Sequence, residues 1–228
     1  TDQTTGSPFA VTATYNGDGN YLPSTGTDTQ TVNRASTTTT VTSLPDPTVV
    51  TQAATITAKL APVAPGAGTP TGTVTFTFGD GTPSVTRPLS GSVATTTHAY
   101  DTTTGSPFAI VATYSGDTGF AASKGADTQT VDRAATTAKI VSSPNPSTPG
   151  GKVTVTATVT PTAPAAGTPT GTVTLVLGDR NPQVINLVDG VATATFNPIN
   201  RGTYTMTASY NGDSAYASAT ATGTHRVT

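Results

Sequence analysis

The amino-acid sequence predicts an all-β chain of tandem β-sandwiches arranged end to end, and three observations carry that expectation. Apolar and polar residues alternate with a period of two along much of the chain, as strands do when one face is buried and the other wet. Turn residues (Gly, Pro, Asn, Asp) break the alternation about every ten residues, the spacing of short antiparallel strands. Whole stretches also recur. TTGSPFAVTATYNGD at 4–18 returns little changed as TTGSPFAIVATYSGD at 103–117, DTQTVNRA at 28–35 as DTQTVDRA at 127–134, and GTPTGTV at 68–74 again at 167–173, each pair 99 residues apart. A looser third copy, RGTYTMTASYNGD at 201–213, aligns Tyr210 with Tyr15 and Tyr114. Repeats of this kind set the organisation before any local reading. Residues 1–34 read as the last two strands of an incomplete repeat, and 35–134 and 135–228 as complete ones.

The elements follow in order. FAVTATY and GTDTQTVNR form the opening pair of strands. Each complete repeat begins with a threonine-rich strand, STTTTVTS in the first. The next strand places Ala54, Ile56, Ala58 and Leu60 inward in one copy and Val153, Val155, Ala157 and Val159 in the other, with Lys59, Lys152, Thr154, Thr156 and Thr158 outward. A Pro/Gly loop leads to GTVTFTFGDG and GTVTLVLGD, whose inward residues are Val74, Phe76 and Phe78, and Val173, Leu175 and Leu177. SVATTTH aligns with GVATATF. FAIVATY then puts Phe108, Ile110, Ala112 and Tyr114 on one face, and DTQTVDR closes the repeat. This amounts to about seven strands in roughly 99 residues, the sequence signature of an immunoglobulin-like sandwich without its usual Cys and Trp.

Composition bounds the function. At 34% hydrophobic and 6% aromatic, 228 residues suit two small cores better than one large one. Charged residues are 10%, the net charge is −2, and all twelve acidic residues are Asp. No clustered basic surface exists for a phosphate backbone, so nucleic acid is excluded as a partner. The absence of Cys removes disulfides, thiolate catalysis and cysteine zinc sites. No apolar run approaches the roughly 20 residues of a helical membrane span, so membrane insertion is not expected.

GTPTGTVTF, GVATATF and TASYNGD together resemble the bacterial Ig-like domain repeats, in particular the Big_3 group, and the resemblance extends over the whole chain. It implies a non-catalytic structural repeat: a stiff extracellular stalk, spacer or fibre segment of a bacterial surface or secreted protein. Its partners would be neighbouring Ig-like repeats of the same or another chain. The alternative is an adhesive module for a surface glycan or protein receptor, or a phage-like particle decoration domain.

Side chains that could carry chemistry have structural readings. His98 aligns with Phe196 and is expected at the edge of a core; His225 aligns with Gln30 and Gln129 and is expected in a cross-strand polar contact. Two histidines in different repeats cannot share a metal without an unusual contact between the repeats, and no nucleophile motif such as G-x-S-x-G occurs. Asp18, Asp117 and Asp213 recur after Gly in tight turns, where an Asp caps backbone amides. Calcium would need several carboxylates, and the nearest extra ones are Asp28, Asp127, Asp46 and Asp80. The motif tyrosines, with Tyr21, Phe120 and Tyr216, are expected to close the ends of the cores. A Lys–Asn isopeptide bond would need a buried Lys, yet Lys59 and Lys152 face outward, and Lys139 lacks a Glu to assist it. Catalytic, cofactor and metal residues are therefore expected to be none. The strands at 9–30 leave Phe9, Val11, Ala13 and Tyr15 uncovered, which a lone hairpin does not tolerate well. Five further strands are expected to cover them, from a longer or cleaved repeat array ahead of exchange between chains; packing on the sandwich of 35–134 would make the hairpin a local appendage.

Overall fold

The computed structural model describes residues 7–198 and 200–228, so the start of the opening motif at 4–6 lies outside the described residues. A ribbon comes first. β1 (Phe9–Tyr15) and β2 (Ser24–Gln30) pair antiparallel, with Phe9 opposite Gln30 and Tyr15 opposite Ser24.

The first full set of strands is β3 (Thr37–Leu44), β4 (Thr48–Val49), β5 (Ala53–Pro62), β6 (Thr73–Thr77), β7 (Val85–Pro88), β8 (Val93–Ala99), β9 (Phe108–Tyr114), β10 (Ser123–Gln129) and β11 (Val131–Asp132). They form a three-stranded sheet, β3-β5-β8, a four-stranded sheet, β10-β9-β6-β7, and a short parallel pairing of β11 with β4. The second set is β12 (Thr136–Ser143), β13 (Val153–Pro161), β14 (Thr172–Leu177), β15 (Gln183–Asn186), β16 (Val191–Phe196), β17 (Gly202–Tyr210) and β18 (Ala219–Val227). It repeats the plan as β12-β13-β16 and β15-β14-β17-β18. Both are seven-stranded sandwiches of the immunoglobulin-like kind. By backbone proximity the chain groups into two compact units. One runs up to Ser43 and adds Thr55–Thr97 and Ala109–Thr128; the other comprises Leu44–Ala54, His98–Phe108 and Gln129–Thr228.

The period-two pattern makes these strands, and burial follows it. In the first sandwich Ala54, Ile56, Ala58, Leu60, Val74, Phe76, Phe78, Phe108, Ile110, Ala112 and Tyr114 are buried; in the second, Val153, Val155, Ala157, Val159, Val173, Leu175 and Leu177 are. Each large apolar side chain taken from water contributes about 1.5–3 kcal/mol. The cores stay thin because alanines at 54, 58, 94 and 112 share them with the rings of Phe76, Phe78, Tyr100 and Tyr114.

Two expectations need correcting. β7 and β15 carry no clear apolar alternation (VTRP and QVIN), so the sequence reading did not single them out; they are edge strands with little burial. Thr154, Thr156 and Thr158 face away from the core but are half-buried. β13 lies between β12 and β16, so Thr193, Thr195, Val141 and Lys139 stand beside them on the same face. Gly79 is required by geometry: it has φ +77°, and a Cβ there would lie 2.6 Å from the Ala109 carbonyl oxygen.

Candidate functional site: carboxylate-capped turns and buried polar positions

The YxGD motif folds the same way three times. In each turn the Asp backbone N–H donates to the carbonyl three residues on: Asp18 to Tyr21, Asp117 to Phe120, Asp213 to Tyr216. One carboxylate oxygen then accepts from two backbone amides, those of Asn20 and Tyr21, Gly119 and Phe120, or Ala215 and Tyr216. In the complete sandwiches the second oxygen is also engaged. Asp117 Oδ2 accepts from Thr71 N at 2.8 Å and Thr71 Oγ1 at 2.7 Å, and Asp213 Oδ2 from Thr170 N at 2.9 Å and Thr170 Oγ1 at 2.6 Å. The recurring GTPTG segment thus exists in part to supply a threonine to this carboxylate, tying the strand that follows it to the turn.

These donors fix the electrostatics. Burial opposes ionisation of Asp117, but the two Thr71 donors with the Gly119 and Phe120 amides outweigh it and hold its pKa at about 2. Asp213 is lowered in the same way, against burial, by Thr170, Ala215 and Tyr216. Asp18 is lowered chiefly by the Asn20 amide, with Tyr15 and the Tyr21 amide. Tyr114 is pushed up to about 12 by burial and then by the negative charge of Asp117, and Tyr210 is raised for the same reasons beside Asp213. The Tyr114 and Tyr210 hydroxyls are buried beside the Asp117 and Asp213 carboxylates. A carboxylate accepting four hydrogen bonds has its lone pairs aimed at protons, which is the wrong arrangement for a cation. Among the described residues no group of three or more His, Asp or Glu is placed to hold a metal.

His225 lies on β18, fully buried, its Nδ1 3.0 Å from Ser142 Oγ and its Nε2 2.9 Å from Ser147 Oγ. Burial lowers its pKa. A serine beside a histidine is the raw material of nucleophilic catalysis, but here each ring nitrogen faces a serine hydroxyl and the ring is closed to solvent, so the pair serves packing. The same position in the first sandwich is Gln129, also fully buried, whose Nε2 lies 3.1 Å from both the Pro45 carbonyl and Asp46 Oδ1. The sequence reading expected a cross-strand polar contact at 225 and missed its depth. The signal was available, because period two puts His225 on the same face as Val227 and Gln129 on the same face as Val131.

The remaining candidates disperse. His98 is half-buried, edge-on to Tyr100 at 4.6 Å. Asp127 accepts from Ser43 N and Oγ, Asp46 from Thr130 N, Asp80 from Thr82 N and Oγ1, and Asp28 from Thr29 N. Lys59, Lys139 and Lys152 are exposed. Phe120 and Tyr216 close their cores at 3% and 6% exposure, but Tyr15 and Tyr21 are 45% and 70% exposed. The expectation that they too close a core is corrected, since among the described residues β1 and β2 are exposed along their whole length. A shallow cavity of about 390 Å³ is lined by Arg34, Ala35, Val63 and Pro65 among others, with Arg34 its one charged residue. No helix among the described residues is long and apolar enough to cross a membrane.

The profile described as bacterial Ig-like domain (group 3) matches residues 37–132 and again 140–228. The chain belongs to this family. The two matched segments are the two seven-stranded sandwiches, so the Ig-like group 3 fold holds the carboxylate-capped turns in both copies. No curated protein matches the sequence. Among solved structures the chain is similar to the FdeC adhesin of Escherichia coli (15% identity, 90% of this chain and 68% of that one, TM-score 0.34). It is likewise similar to the adhesin InvE of Yersinia pseudotuberculosis (14%, 84% and 58%, TM-score 0.38). A two-domain fibronectin type III segment of chicken tenascin compares at 11%, 82% and 98%, with TM-score 0.42. Family membership rests on the profile match alone.

Proposed function

We propose that the chain is a non-catalytic structural segment of a bacterial surface or secreted protein, in which Ig-like repeats, with boundaries near 34/35 and 134/135, act as an extracellular spacer or stalk. One observation carries the reading. The side chains able to do chemistry are spent inside the sandwiches: Asp117 and Asp213 on turn amides and threonines, His225 on two buried serines, Gln129 on backbone carbonyls and Asp46. Threonine is the commonest residue facing solvent on the strands, where it suits the pleat and stays wet. The connection between the repeats is short, with three residues between Asp132 of β11 and Thr136 of β12.

A second reading, an adhesive module for a glycan or protein receptor, draws on the exposure of Tyr21 at 70% and Leu22 at 88%. A glycan array probed with the purified chain, paired with small-angle X-ray scattering, separates the two. A spacer gives an elongated scattering profile and no saturable ligand. A saturable glycan whose binding is lost in Tyr21→Ala overturns the spacer reading in favour of the adhesive one.

A further inference from the structure

Two turns at matching positions of the two sandwiches are built from unlike residues. Residues 49–52 and 148–151 each close with the fourth amide donating to the first carbonyl, Gln52 N to Val49 O and Gly151 N to Thr148 O, both at 3.0 Å. The third residue has a positive φ in each, +73° at Gly150 and +64° at Thr51. A type II turn has this form; its third position calls for glycine and its second favours proline. STPGG at 147–151 supplies Pro149 and Gly150, whereas TVVTQ at 48–52 puts Val50 and Thr51 in their places. A β-branched residue with this backbone is strained, and such strain persists only where the surroundings hold it.

What Thr51 offers and Gly150 lacks is a hydroxyl. Thr51 Oγ1 accepts from Ala166 N at 2.7 Å and donates to Ala166 O at 3.3 Å, so one side chain takes both backbone groups of one residue. The Ala166 carbonyl also accepts from the Tyr216 hydroxyl at 2.5 Å. Alongside, Thr103 Oγ1 donates to Ser214 O at 2.9 Å, in the turn that Asp213 caps. Thr51 N donates to Tyr100 O at 2.8 Å and so ties its turn to the segment that carries Thr103. The turn does not need the hydroxyl for itself: Val49 N already donates to Gln52 Oε1 at 3.0 Å, and the closing amide is paired. All these residues belong to one compact unit, that of Leu44–Ala54, His98–Phe108 and Gln129–Thr228.

From this geometry we infer that Thr51 is a latch residue, a side chain kept in a glycine backbone position because its hydroxyl grips the Ala166 peptide. The partner it fits is a Pro/Gly loop of this repeat type, whose peptide just ahead of GTPTG offers an outward amide and carbonyl. Thr103 is the second grip, on the carboxylate-capped turn. Recognition of backbone groups leaves the side chains of the loop free to vary, and a Pro-Gly turn such as 149–150 has no hydroxyl with which to make it. The latch stands on these hydrogen bonds and does not depend on the spacer reading.

Hydrogen exchange followed by NMR on the 228-residue chain reads the latch at the Ala166 amide. The Ala165 amide, bonded within its own loop to Thr162 O at 3.2 Å, is the internal control. Thr51→Val keeps the branch and removes the hydroxyl, Thr51→Gly installs the residue of the matching turn, and Thr51→Ser keeps the hydroxyl. Ala166 exchange is expected to accelerate about fivefold to tenfold in Thr51→Val and Thr51→Gly and to stay within about twofold of the parent in Thr51→Ser, with Ala165 unchanged in all three. Thr51→Gly is expected to leave the urea midpoint of the first sandwich the same or higher, since glycine adopts the turn without strain. Equal Ala166 exchange in the parent and both hydroxyl-free variants overturns the inference. So does equal acceleration in Thr51→Ser, because the branch and not the hydroxyl then decides. A lower midpoint in Thr51→Gly with Ala166 exchange unchanged assigns Thr51 to its own turn and overturns it as well.

Discussion

Replacing Asp117 by Ala removes one carboxylate and four hydrogen bonds, from Thr71 N, Thr71 Oγ1, Gly119 N and Phe120 N, all at 2.7–2.8 Å. A hydrogen bond to a charged group is worth about 1.5–3 kcal/mol where water cannot replace it. Asp117 is only half-buried and the Thr71 contacts are exposed, so screening and rehydration reduce each to about 0.5–1 kcal/mol. The sum is about 2–4 kcal/mol for the first sandwich, or roughly 10–25 °C in the Tm of a domain this size. Differential scanning calorimetry of the full chain reads it, with Asp18→Ala as control. Asp18 caps the same turn but among the described residues ties no following strand, and its loss should leave the sandwich transitions within about 2 °C of the parent. The pH arm has a definite sign. A carboxylate with its folded pKa held at about 2, against 3.8 ordinarily, stabilises fully above 3.8 and loses that contribution as pH falls toward 2. The gap between the parent and Asp117→Ala should be constant from neutral pH to about 5 and shrink below about 4. A shift of only about 2 °C at neutral pH, or an equal shift from Asp18→Ala, refutes the assignment of Asp117 as the tie between turn and strand.

Three further outcomes follow from the packing. His225→Gln, which copies Gln129 at the matching position, should abolish an acid-dependent loss of stability in the second sandwich: burial lowers the folded His225 pKa below 6.5, so its neutral form stabilises fully above 6.5 and that contribution fades as pH falls below it. Urea midpoints at pH 7.5 and 5, values chosen to bracket about 6.5, check this. Phe76→Ala should cost the first sandwich about 3–5 kcal/mol in urea unfolding, whereas Val184→Ala, at 63% exposure, should stay within about 0.5 kcal/mol. Gly79→Ala should cost about 1–3 kcal/mol, because φ +77° and the Ala109 backbone both reject a Cβ; an unchanged midpoint would show that the turn relaxes freely.

How much of this was legible beforehand depends on which physical signal each feature leaves in the chain. Strands whose faces differ in solvent write an alternation, so β5, β6, β9, β13 and β14 could be placed with the correct inward residues. The edge strands β7 and β15 bury almost nothing, and VTRP and QVIN therefore carry no pattern to find. The turn carboxylates were visible as a recurring YxGD, because an Asp two residues before free amides has few other roles. Their second set of partners was not visible: Thr71 lies 46 residues from Asp117 and Thr170 43 from Asp213, and only the folded sheet brings them together. GTPTG had been read as a loop signature, when its threonine is the far half of the turn. The depth of His225 was legible in the period-two pattern that puts it on the face of Val227, but a polar side chain does not tell which hydroxyls, here Ser142 and Ser147, will take its bonds.

The same geometry accounts for an oddity of composition, twelve Asp and no Glu. Among the described residues Asp18, Asp28, Asp46, Asp80, Asp117, Asp127 and Asp213 accept a hydrogen bond from a backbone amide. Capping amides two and three residues ahead requires a carboxylate one methylene from the backbone; a second methylene carries the oxygens past the turn and adds side-chain entropy to be lost. Four of these aspartates, Asp18, Asp80, Asp117 and Asp213, cap amides two or three residues ahead in a turn, while Asp28 takes the adjacent amide and Asp46 and Asp127 take amides 84 residues away. Asp117→Glu separates charge from geometry, since it keeps the charge and changes only the reach. If charge near the turn is what stabilises, Asp117→Glu melts with the parent. If geometry decides, it loses most of what Asp117→Ala loses, about 2–3 kcal/mol, and calorimetry of the three variants side by side shows which.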